Sequence, residues 1–276
     1  MPRTSKTSWA RIMAPLSGGK GDPAVLAAAA ELARPFEAEV SGVYAPADVA
    51  DLMPWMGEGF MGGVQITAVE SLKEAANVGE ANARGALEAC GAPNSSFTTL
   101  ESPVWATLAV ESRLSDVVVF NDEAARGKGP LAEAFQQLVA NEQRPTVVAR
   151  PGLKADGLMA VAWDGGKEAT RATRTAMPLL EKASRVVILG APSASSRDFD
   201  PHRLQDFLGA RGVEADVELI KGSGDAAGLL LGAARSLGAS LLVSGAFGHA
   251  RLREFIFGGT TRSLLQADSP SLFLSH

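Results

Sequence analysis

Short apolar runs alternate with helix-like segments along the chain, and this alternation occurs twice in the same order. Residues 11–16 and 158–163 are apolar runs typical of buried strands, and helix-like segments follow them at 22–34 and 168–182. Continued to the end of each half, the pattern predicts five strands and four helices per half. A pattern that repeats over half of the chain indicates an internal duplication.

The two halves also match in local detail, which predicts where each one ends. The run RPTVV at 144–148 closes the first half, and SPSLF at 269–273 closes the second half in the same way. Between them, the segment PGLKADG at 151–157 contains turn-forming residues and no periodicity, so it is predicted to be a linker. We therefore expect one domain at 1–150 and another at 158–276.

The predicted strands are apolar along their whole length, not only at alternate residues. Strands of this kind are typical of parallel sheets that are covered by helices on both faces. The predicted fold class is therefore α/β, with two similar, doubly wound, five-stranded parallel-sheet domains of the Rossmann-like type. In such sheets a ligand binds beyond the carboxyl ends of the strands, where the strand order reverses.

A glycine-punctuated loop in the second half has the composition of a phosphate-binding loop. It follows an apolar strand that ends at Ser244, and it leads into a helix. Glycine permits backbone angles and close approaches that other residues do not, and the free N–H groups of a helix N-terminus attract anions. The residues expected to contact phosphate are Gly245, Gly248, Gly258, Gly259, Thr260 and Thr261.

A second candidate position lies at the tip of the first strand of the same half, in the sequence Trp163-Asp164-Gly165-Gly166. The Asp164 carboxylate could accept hydrogen bonds from a ribose or adenine group, or help to hold a metal ion bound to phosphates. The alternative is that Asp164 caps the helix that begins near Lys167. The sequence leaves both interpretations open.

The order VAWDGG, VVILGA and LLVSGAFGHARLREFIFGGTT resembles the nucleotide-binding type of the universal stress protein family, and the whole chain looks like a tandem pair of such domains. The resemblance implies adenine near Trp163 and Gly190, ribose near Asp164 and Gly245, and phosphates along the glycine loop. The complete expected site is Trp163, Asp164, Gly165, Gly190, Ser244, Gly245, Gly248, His249, Gly258, Gly259, Thr260 and Thr261. One position departs from the family pattern, because Gly259 stands where a serine or threonine is usual.

His249 lies inside the glycine loop, with Arg251 and Arg253 close behind it. Cations there could reach a triphosphate, and a histidine could transfer protons if hydrolysis occurred. Alternatively, HARLRE is a short helical turn whose charges face water. Elsewhere the sequence has no nucleophile–histidine–acid set and no metal-ligand spacing, so dedicated catalysis is not predicted.

The first half departs much further from the family pattern. Ser17 occupies the place of Asp164, and Asp122 and Glu123 are expected to put negative charge where phosphates would sit. The loop glycines Gly245, Gly248 and Gly258 have as counterparts Asn121, Ala124 and Ala134. We therefore expect the first half to be a structural partner that does not bind the same nucleotide.

The segment Ser17 to Asp22, SGGKGD, supports an alternative for the first half. It resembles the pyrophosphate loop of ATP pyrophosphatase enzymes, which implies adenylation of a substrate. Gly21 and Asp22, however, occupy the positions where that motif has Asp and Ser. A glycine-rich turn that leads into a helix capped by Asp22 accounts for the same residues.

Composition argues against several classes of partner. The formal net charge is −5 and no basic patch is visible, so we expect no nucleic-acid partner. No run reaches the ~18 apolar residues that span a membrane, and the N-terminal segment lacks the apolar core of a signal peptide. The single cysteine, Cys90, is expected to be buried in a helix and cannot form an internal disulfide. We therefore expect a cytoplasmic protein with no membrane partner.

The segment 49–65 is rich in methionine, tryptophan and phenylalanine, and we expect it to pack within the chain; a subunit contact and a ligand lid are the alternatives. For the whole protein, we expect a stress-response or signalling role, with ATP and a divalent cation such as Mg²⁺ bound by the second half and at most slow hydrolysis. The alternatives are a nucleotide-free scaffold that forms a homodimer, and an adenylating enzyme that uses the SGGKGD segment.

Overall fold

The computed structural model describes residues 8–46, 62–101, 104–190, 200–222, 225–246 and 259–276, with only the backbone described at 62–69. In the first half the elements are β1 (Arg11–Leu16), α1 (Asp22–Ala33), β2 (Glu39–Tyr44), α2 (Gly62–Ala89), β3 (Ser95–Thr99), α3 (Val104–Ser112), β4 (Val117–Asn121), α4 (Asp122–Ala125), α5 (Ala132–Ala140) and β5 (Thr146–Ala149). In the second half they are β6 (Leu158–Trp163), α6 (Lys167–Thr175), α7 (Met177–Leu180), β7 (Arg185–Gly190), α8 (Pro201–Gly209), β8 (Ala215–Leu219), α9 (Ala226–Ser236), β9 (Leu241–Gly245), α10 (Gly259–Gln266) and β10 (Ser271–Ser275).

Two local differences from the sequence expectation have simple causes. The helix predicted at 168–182 is divided into α6 and α7, because Pro178 lies in the first turn of α7 and cannot continue the hydrogen bonding of the preceding helix. The additional helix α4 follows β4 directly. Its cap is Asn121, whose side-chain oxygen accepts a hydrogen bond from the Ala124 N–H at 2.9 Å.

The strands form one continuous sheet with the order β3-β2-β1-β4-β5-β10-β9-β6-β7-β8. Within each half the described pairings are parallel and the strand order is the same. The halves meet where β5 and β10 pair antiparallel, with Val147 opposite Phe273. The predicted fold class is thus confirmed, and the two parallel sheets are in addition joined edge to edge.

Helices cover both faces of this sheet, which explains why the strands are apolar throughout. On one face α1, α2, α6 and α8 enclose a core that includes Ile12, Val161 and Phe273. On the other face α3, α5, α9 and α10 enclose a core that includes Phe120 and Leu274. Each core contains residues of both halves, so the hydrophobic interior continues across the junction.

The segment predicted as a linker, 151–157, is anchored to the structure on either side. Ala155 is fully buried in the core, and its N–H donates to the Glu31 carboxylate at 2.9 Å. Arg34 pairs with Asp156 at 3.0 Å. The connection between the halves is therefore held in place by α1 and the turn that follows it.

Cys90 is half-buried directly after α2 ends, so it lies just outside the helix in which it was expected. Across the described ranges, no helix combines the length and the apolar character that crossing a bilayer requires.

Candidate functional site

The carboxyl ends of three neighbouring strands bring several of the expected site residues to one edge of the second half. Trp163 at the end of β6 lies opposite Gly190 at the end of β7. On its other side β6 pairs with β9, which ends at Ser244 and Gly245. The strand order reverses between β6 and β9, which is where ligands bind in open α/β sheets.

Trp163 carries an unsatisfied polar atom at this edge. Its side chain is only 9% exposed, and its indole Nε1 has no hydrogen-bond partner among the described residues. The residue borders a cavity of about 220 Å³ between α6 and α8. Thr170 and Thr173 line the α6 side of the cavity, and Arg203 and Phe207 line the α8 side. A buried N–H donor beside a cavity is suited to a ligand that offers an acceptor.

Asp164 is exposed directly after β6, and its Oδ1 accepts a hydrogen bond from the Gly166 N–H at 2.8 Å. The cap residue of α6 is Gly166, with no side-chain hydrogen bond, so the interpretation of Asp164 as a helix cap is wrong. The contact instead closes a tight turn, in which Gly165 has a φ of 72° that favours glycine. Because this turn uses Oδ1, the second carboxylate oxygen is the one suited to a ligand.

Gly245 has a packing reason to be glycine in addition to its expected role in binding. A Cβ atom at this position would lie 2.6 Å from the Ala169 nitrogen and 2.6 Å from the Glu168 carbonyl carbon. Both are backbone atoms in the first turn of α6, so they cannot move aside as a flexible side chain would. The neighbouring Ser244 is buried, and its hydroxyl donates to the Gly245 carbonyl oxygen at 3.0 Å.

The N-terminus of α10 presents two of its expected phosphate-contacting residues to the surface. Gly259 and Thr260 are exposed, whereas Thr261 is only 6% exposed and its side chain is enclosed by protein. A Cβ added at Gly259 would have no atom of the described residues within 4 Å. Gly248, His249 and Gly258, together with Arg251, Arg253 and the segment 49–61, lie outside the described residues.

In the first half, the turn after β1 also contains a glycine with a positive φ, and its N–H groups bond to the carboxylate of Asp22. Gly18 has a φ of 75°, close to the 72° of Gly165. The Asp22 carboxylate accepts hydrogen bonds from the Gly18 N–H at 2.7 Å and from the Ser17 N–H at 3.1 Å. Gly21, without a side-chain hydrogen bond, is the cap of α1, so the expectation that Asp22 caps this helix is wrong.

A small residue and a large residue exchange places between the two halves. In the first half, a Cβ on Gly21 would lie 2.7 Å from the side-chain nitrogen of Asn121. In the second half, Gly245 takes the strand position of Asn121, and a Cβ there would lie 2.8 Å from the Cβ of Glu168 in the first turn of α6. The strand end and the helix start are therefore close in both halves, but the glycine lies on opposite sides of the contact.

The first half also has a cavity at the corresponding edge, with a volume of about 680 Å³. It lies between the turn after β1, helix α2 and the segment from Asn121 to Leu131. Two cations, Lys20 and Lys128, and two anions, Glu74 and Glu123, contribute to its lining. The sequence of the two halves predicts the loss of the phosphate loop. It does not predict this cavity, because α2 supplies one wall from a distant part of the chain.

Asp122 does not contribute an unpaired negative charge to this edge, contrary to the expectation from sequence. Its Oδ1 accepts a hydrogen bond from Arg150 Nε at 2.7 Å, and its Oδ2 accepts one from Arg126 at 2.6 Å. Burial lowers the pKa of the Arg150 guanidinium, and the hydrogen bond to Asp122 opposes that effect. The pKa of Arg126 is raised, chiefly by its hydrogen bond to Asp268.

Across the described ranges, no group of three or more His, Cys, Asp and Glu side chains gathers as a metal site would require.

The strand order and the helices on both faces make this a doubly wound α/β protein, with a candidate ligand site at a strand-order reversal. The sequence model of the Universal stress protein family matches residues 159–272. The second half of the chain thus matches this family, and the resemblance of its motifs to the universal stress protein family is confirmed.

Similar solved structures extend the likeness in fold to both halves. A universal stress protein from Archaeoglobus fulgidus DSM 4304 has a TM-score of 0.69 at 15% identity, with 96% of this chain and 95% of that chain covered. A functionally unknown protein from Pseudomonas aeruginosa PAO1 has a TM-score of 0.55 at 14% identity, with 97% and 92% covered. No curated protein matches the sequence.

Proposed function

We propose that the second half of the chain binds an adenine nucleotide, with ATP and Mg²⁺ as the main ligand pair. Membership of the universal stress protein family suggests a stress-response protein. In this proposal nucleotide binding serves stress response or signalling, and hydrolysis is slow at most. The proposal also takes the protein to act in the cytoplasm.

The observation that carries the proposal is the buried indole N–H of Trp163, which finds no acceptor in the described part of the chain. A buried donor without an acceptor costs roughly 1–3 kcal/mol, so a ligand that supplies an acceptor is favoured. The ring nitrogens of adenine are acceptors, and the flat base is suited to a cavity lined by aromatic and aliphatic side chains such as Phe207 and Leu204.

The neighbouring groups are suited to the rest of a nucleotide. The free oxygen of Asp164 can accept a hydrogen bond from a ribose hydroxyl. The exposed N-terminus of α10 at Gly259 and Thr260 offers backbone N–H groups to phosphates. Asp164 would be the carboxylate that helps to hold Mg²⁺, and the ion would offset the negative charge of the phosphates. Gly248, His249 and Gly258 complete the proposed site by resemblance.

The test compares two tryptophans that differ in burial. Trp163→Phe keeps an aromatic ring and removes the N–H, so ATP affinity measured by calorimetry should fall by about fivefold. Trp105→Phe is the matched control, because Trp105 is 55% exposed on α3 and should leave the affinity unchanged. Asp164→Asn keeps an oxygen for the Gly166 N–H but removes the charge, and we expect a loss of about tenfold.

Nucleotide released by denaturing the purified protein provides an independent check. Adenine nucleotide in the supernatant supports the proposal. If none is released and the wild-type protein shows no calorimetric heat with ATP and Mg²⁺, the proposal is wrong. Equal ATP affinities for the wild-type protein and Trp163→Phe would contradict the role proposed for the indole N–H.

The exposed apolar side chains of the first half favour a second candidate, a scaffold that forms a homodimer. Trp105 is 55% exposed and Leu114 is 81% exposed. Light scattering of the wild-type protein and of Trp105→Ser with Leu114→Ser tests this role. A dimer that the double variant converts to a monomer supports it, and a monomeric wild-type protein contradicts it. Adenylation by the SGGKGD segment is not proposed, because Asp22 already occupies the N–H groups of Ser17 and Gly18.

A further inference from the structure

The segment that replaces the phosphate loop in the first half makes contacts at the far end of helix α10 in the second half. Asp122 and Arg126 lie in this segment, directly after β4. Arg150 follows β5 and joins them. These three residues, Asp122, Arg126 and Arg150, are called the arginine clamp below.

Arg150 makes the main contacts of the clamp with α10. Its Nη2 donates to the Leu264 carbonyl oxygen at 3.0 Å and to the Leu265 carbonyl oxygen at 3.2 Å, both in the last turn of the helix. Its Nη1 donates to the Pro270 carbonyl oxygen at 2.7 Å, just before β10. The Arg150 side chain has no exposed surface. Its guanidinium is therefore held on both sides of the turn that joins α10 to β10.

The other two members of the clamp fix the position of this guanidinium and extend its contacts. Asp122 accepts from Arg150 at 2.7 Å and from Arg126 at 2.6 Å, so one carboxylate orients both cations. Arg126 also donates to the Ala267 carbonyl oxygen at 3.0 Å and to Asp268 at 2.8 Å. The first half thereby supplies partners for four carbonyl groups at and after the end of α10, those of Leu264, Leu265, Ala267 and Pro270.

These contacts stabilise the C-terminal end of α10 and fix its position. The last carbonyl groups of a helix lack partners within it, and cations there stabilise the helix end. A fully buried guanidinium with a carboxylate partner has one favourable geometry, because any shift leaves a charge unpaired. Helix α10 has eight residues, so its N-terminus lies only about 12 Å from the clamp along a rigid rod.

We propose that Arg150, oriented by Asp122, is a positioning residue that fixes α10 so that the Gly259 and Thr260 N–H groups meet the phosphates of a nucleotide bound in the second half. This inference rests on the proposed function. In this proposal the altered loop of the first half has a role. The loop determines how well the second half holds phosphate, without contacting the nucleotide.

Ligands that differ only in phosphate content separate this role from a purely structural one. Arg150→Lys keeps a positive charge but cannot bond three carbonyl groups and Asp122 at once. Calorimetry of this variant should show ATP affinity reduced by about tenfold and adenosine affinity unchanged. Asp122→Asn should act in the same direction. Arg113→Lys is the matched control, because Arg113 pairs with Glu142 at the surface of the same half.

Hydrogen exchange of α10 provides a readout that needs no nucleotide. In Arg150→Lys, amide protection should fall at Ser263 to Gln266, because these N–H groups bond to the carbonyl groups of the first turn. Unchanged protection at these amides would show that the clamp does not hold α10, and would overturn the proposal. An equal loss for ATP and adenosine, or no loss for either, would overturn it as well.

Failure of the proposed function has a different signature. If the wild-type protein binds neither ATP nor adenosine, the proposed function is wrong, whatever the variants show. In that case, reduced protection of these α10 amides in Arg150→Lys still supports the mechanical part of the inference, and unchanged protection overturns that part too.

Discussion

At the scale of single residues, one steric contact accounts for a glycine in each half. Gly21 leaves room for Asn121 in the first half, and Gly245 leaves room for the first turn of α6 in the second half. The sequence indicated a ligand role for Gly245 because it lies in a glycine loop. The structure adds a packing role, which can be measured without any ligand.

Gly245→Ala should therefore destabilise the protein. Its Cβ would meet two backbone atoms at 2.6 Å, and overpacking of this kind costs about 1–3 kcal/mol. Urea unfolding of the ligand-free protein measures the difference. The control is Gly232→Ala in α9, where a Cβ has no atom within 4 Å and the helix should gain about 0.5–1 kcal/mol. A Gly245→Ala variant as stable as the wild-type protein would contradict the steric argument.

Two aspartates show what local sequence rules cannot supply. Asp22 was expected to cap α1 and Asp122 was expected to repel phosphate, because both inferences used only neighbouring residues. Asp22 instead bonds back to the turn after β1, and Asp122 bonds to Arg150, 28 residues away. By contrast, Asp225 lies directly before α9 and caps it in the ordinary way, because its carboxylate accepts from the Gly228 N–H at 3.1 Å. Local rules succeed where the partner is local.

At the scale of elements, the linker is fastened to α1 through one carboxylate. Glu31 accepts hydrogen bonds from the Arg34 guanidinium and from the Ala155 N–H at 2.9 Å. The hydrogen bond from Arg34 is the main reason that the pKa of Glu31 lies below its ordinary value. The folded state therefore holds this carboxylate in its charged form more strongly than the unfolded state does.

The lowered pKa predicts how stability depends on pH. A carboxylate with a lowered pKa in the folded state contributes stability above its unfolded pKa, and this contribution disappears as pH falls through the folded pKa. The difference in unfolding free energy between the wild-type protein and Glu31→Gln should be about 1 kcal/mol at neutral pH and should shrink below about pH 4.5. Urea unfolding at a series of pH values measures it.

Glu80→Gln is the control for this measurement, because Glu80 forms its ion pair with Arg84 within the same helix, α2. Its effect should be about 0.5 kcal/mol or less at neutral pH. A Glu31→Gln effect that stays constant down to the acid limit would contradict the assignment of the hydrogen bonds to the charged carboxylate.

The elements themselves were largely predictable. Apolar runs such as those of β1 and β6 gave the strands, because both faces of the sheet are covered and every residue of a run is buried. The antiparallel pairing of β5 with β10 was not predictable, since the edge strands of the two halves have similar sequences and no local signal specifies their partner. For the same reason the arginine clamp, which depends on that pairing, could not be foreseen.

At the scale of the whole molecule, the continuous sheet and the shared cores predict one cooperative unfolding transition. Trp9 near the start of the chain stacks on Phe273 near its end, with ring centroids 6.2 Å apart. Neither half can therefore unfold without exposing the interior of the other. Far-ultraviolet circular dichroism, tryptophan fluorescence and calorimetry should report the same midpoint.

A substitution in the core at the junction tests whether the two halves unfold in a single transition. Phe273→Leu should lower the single midpoint by about 2–4 °C for each kcal/mol lost, without dividing the transition. Phe97→Leu, in the outer strand β3, is the control and should have a smaller effect, because Phe97 is only partly buried. Two separate steps in the wild-type protein would show that the halves unfold independently.

The antiparallel junction of β5 and β10 gives the molecule two ends that face in opposite directions. The cavity of the first half opens at one end, and the strand tips that carry Trp163 and Asp164 lie at the other. A partner that binds at one of these ends therefore leaves the other end exposed to solvent. A partner that docks over the first-half cavity would cover the segment from Asn121 to Leu131, which contains Asp122 and Arg126, and would leave the Trp163 edge open to solvent.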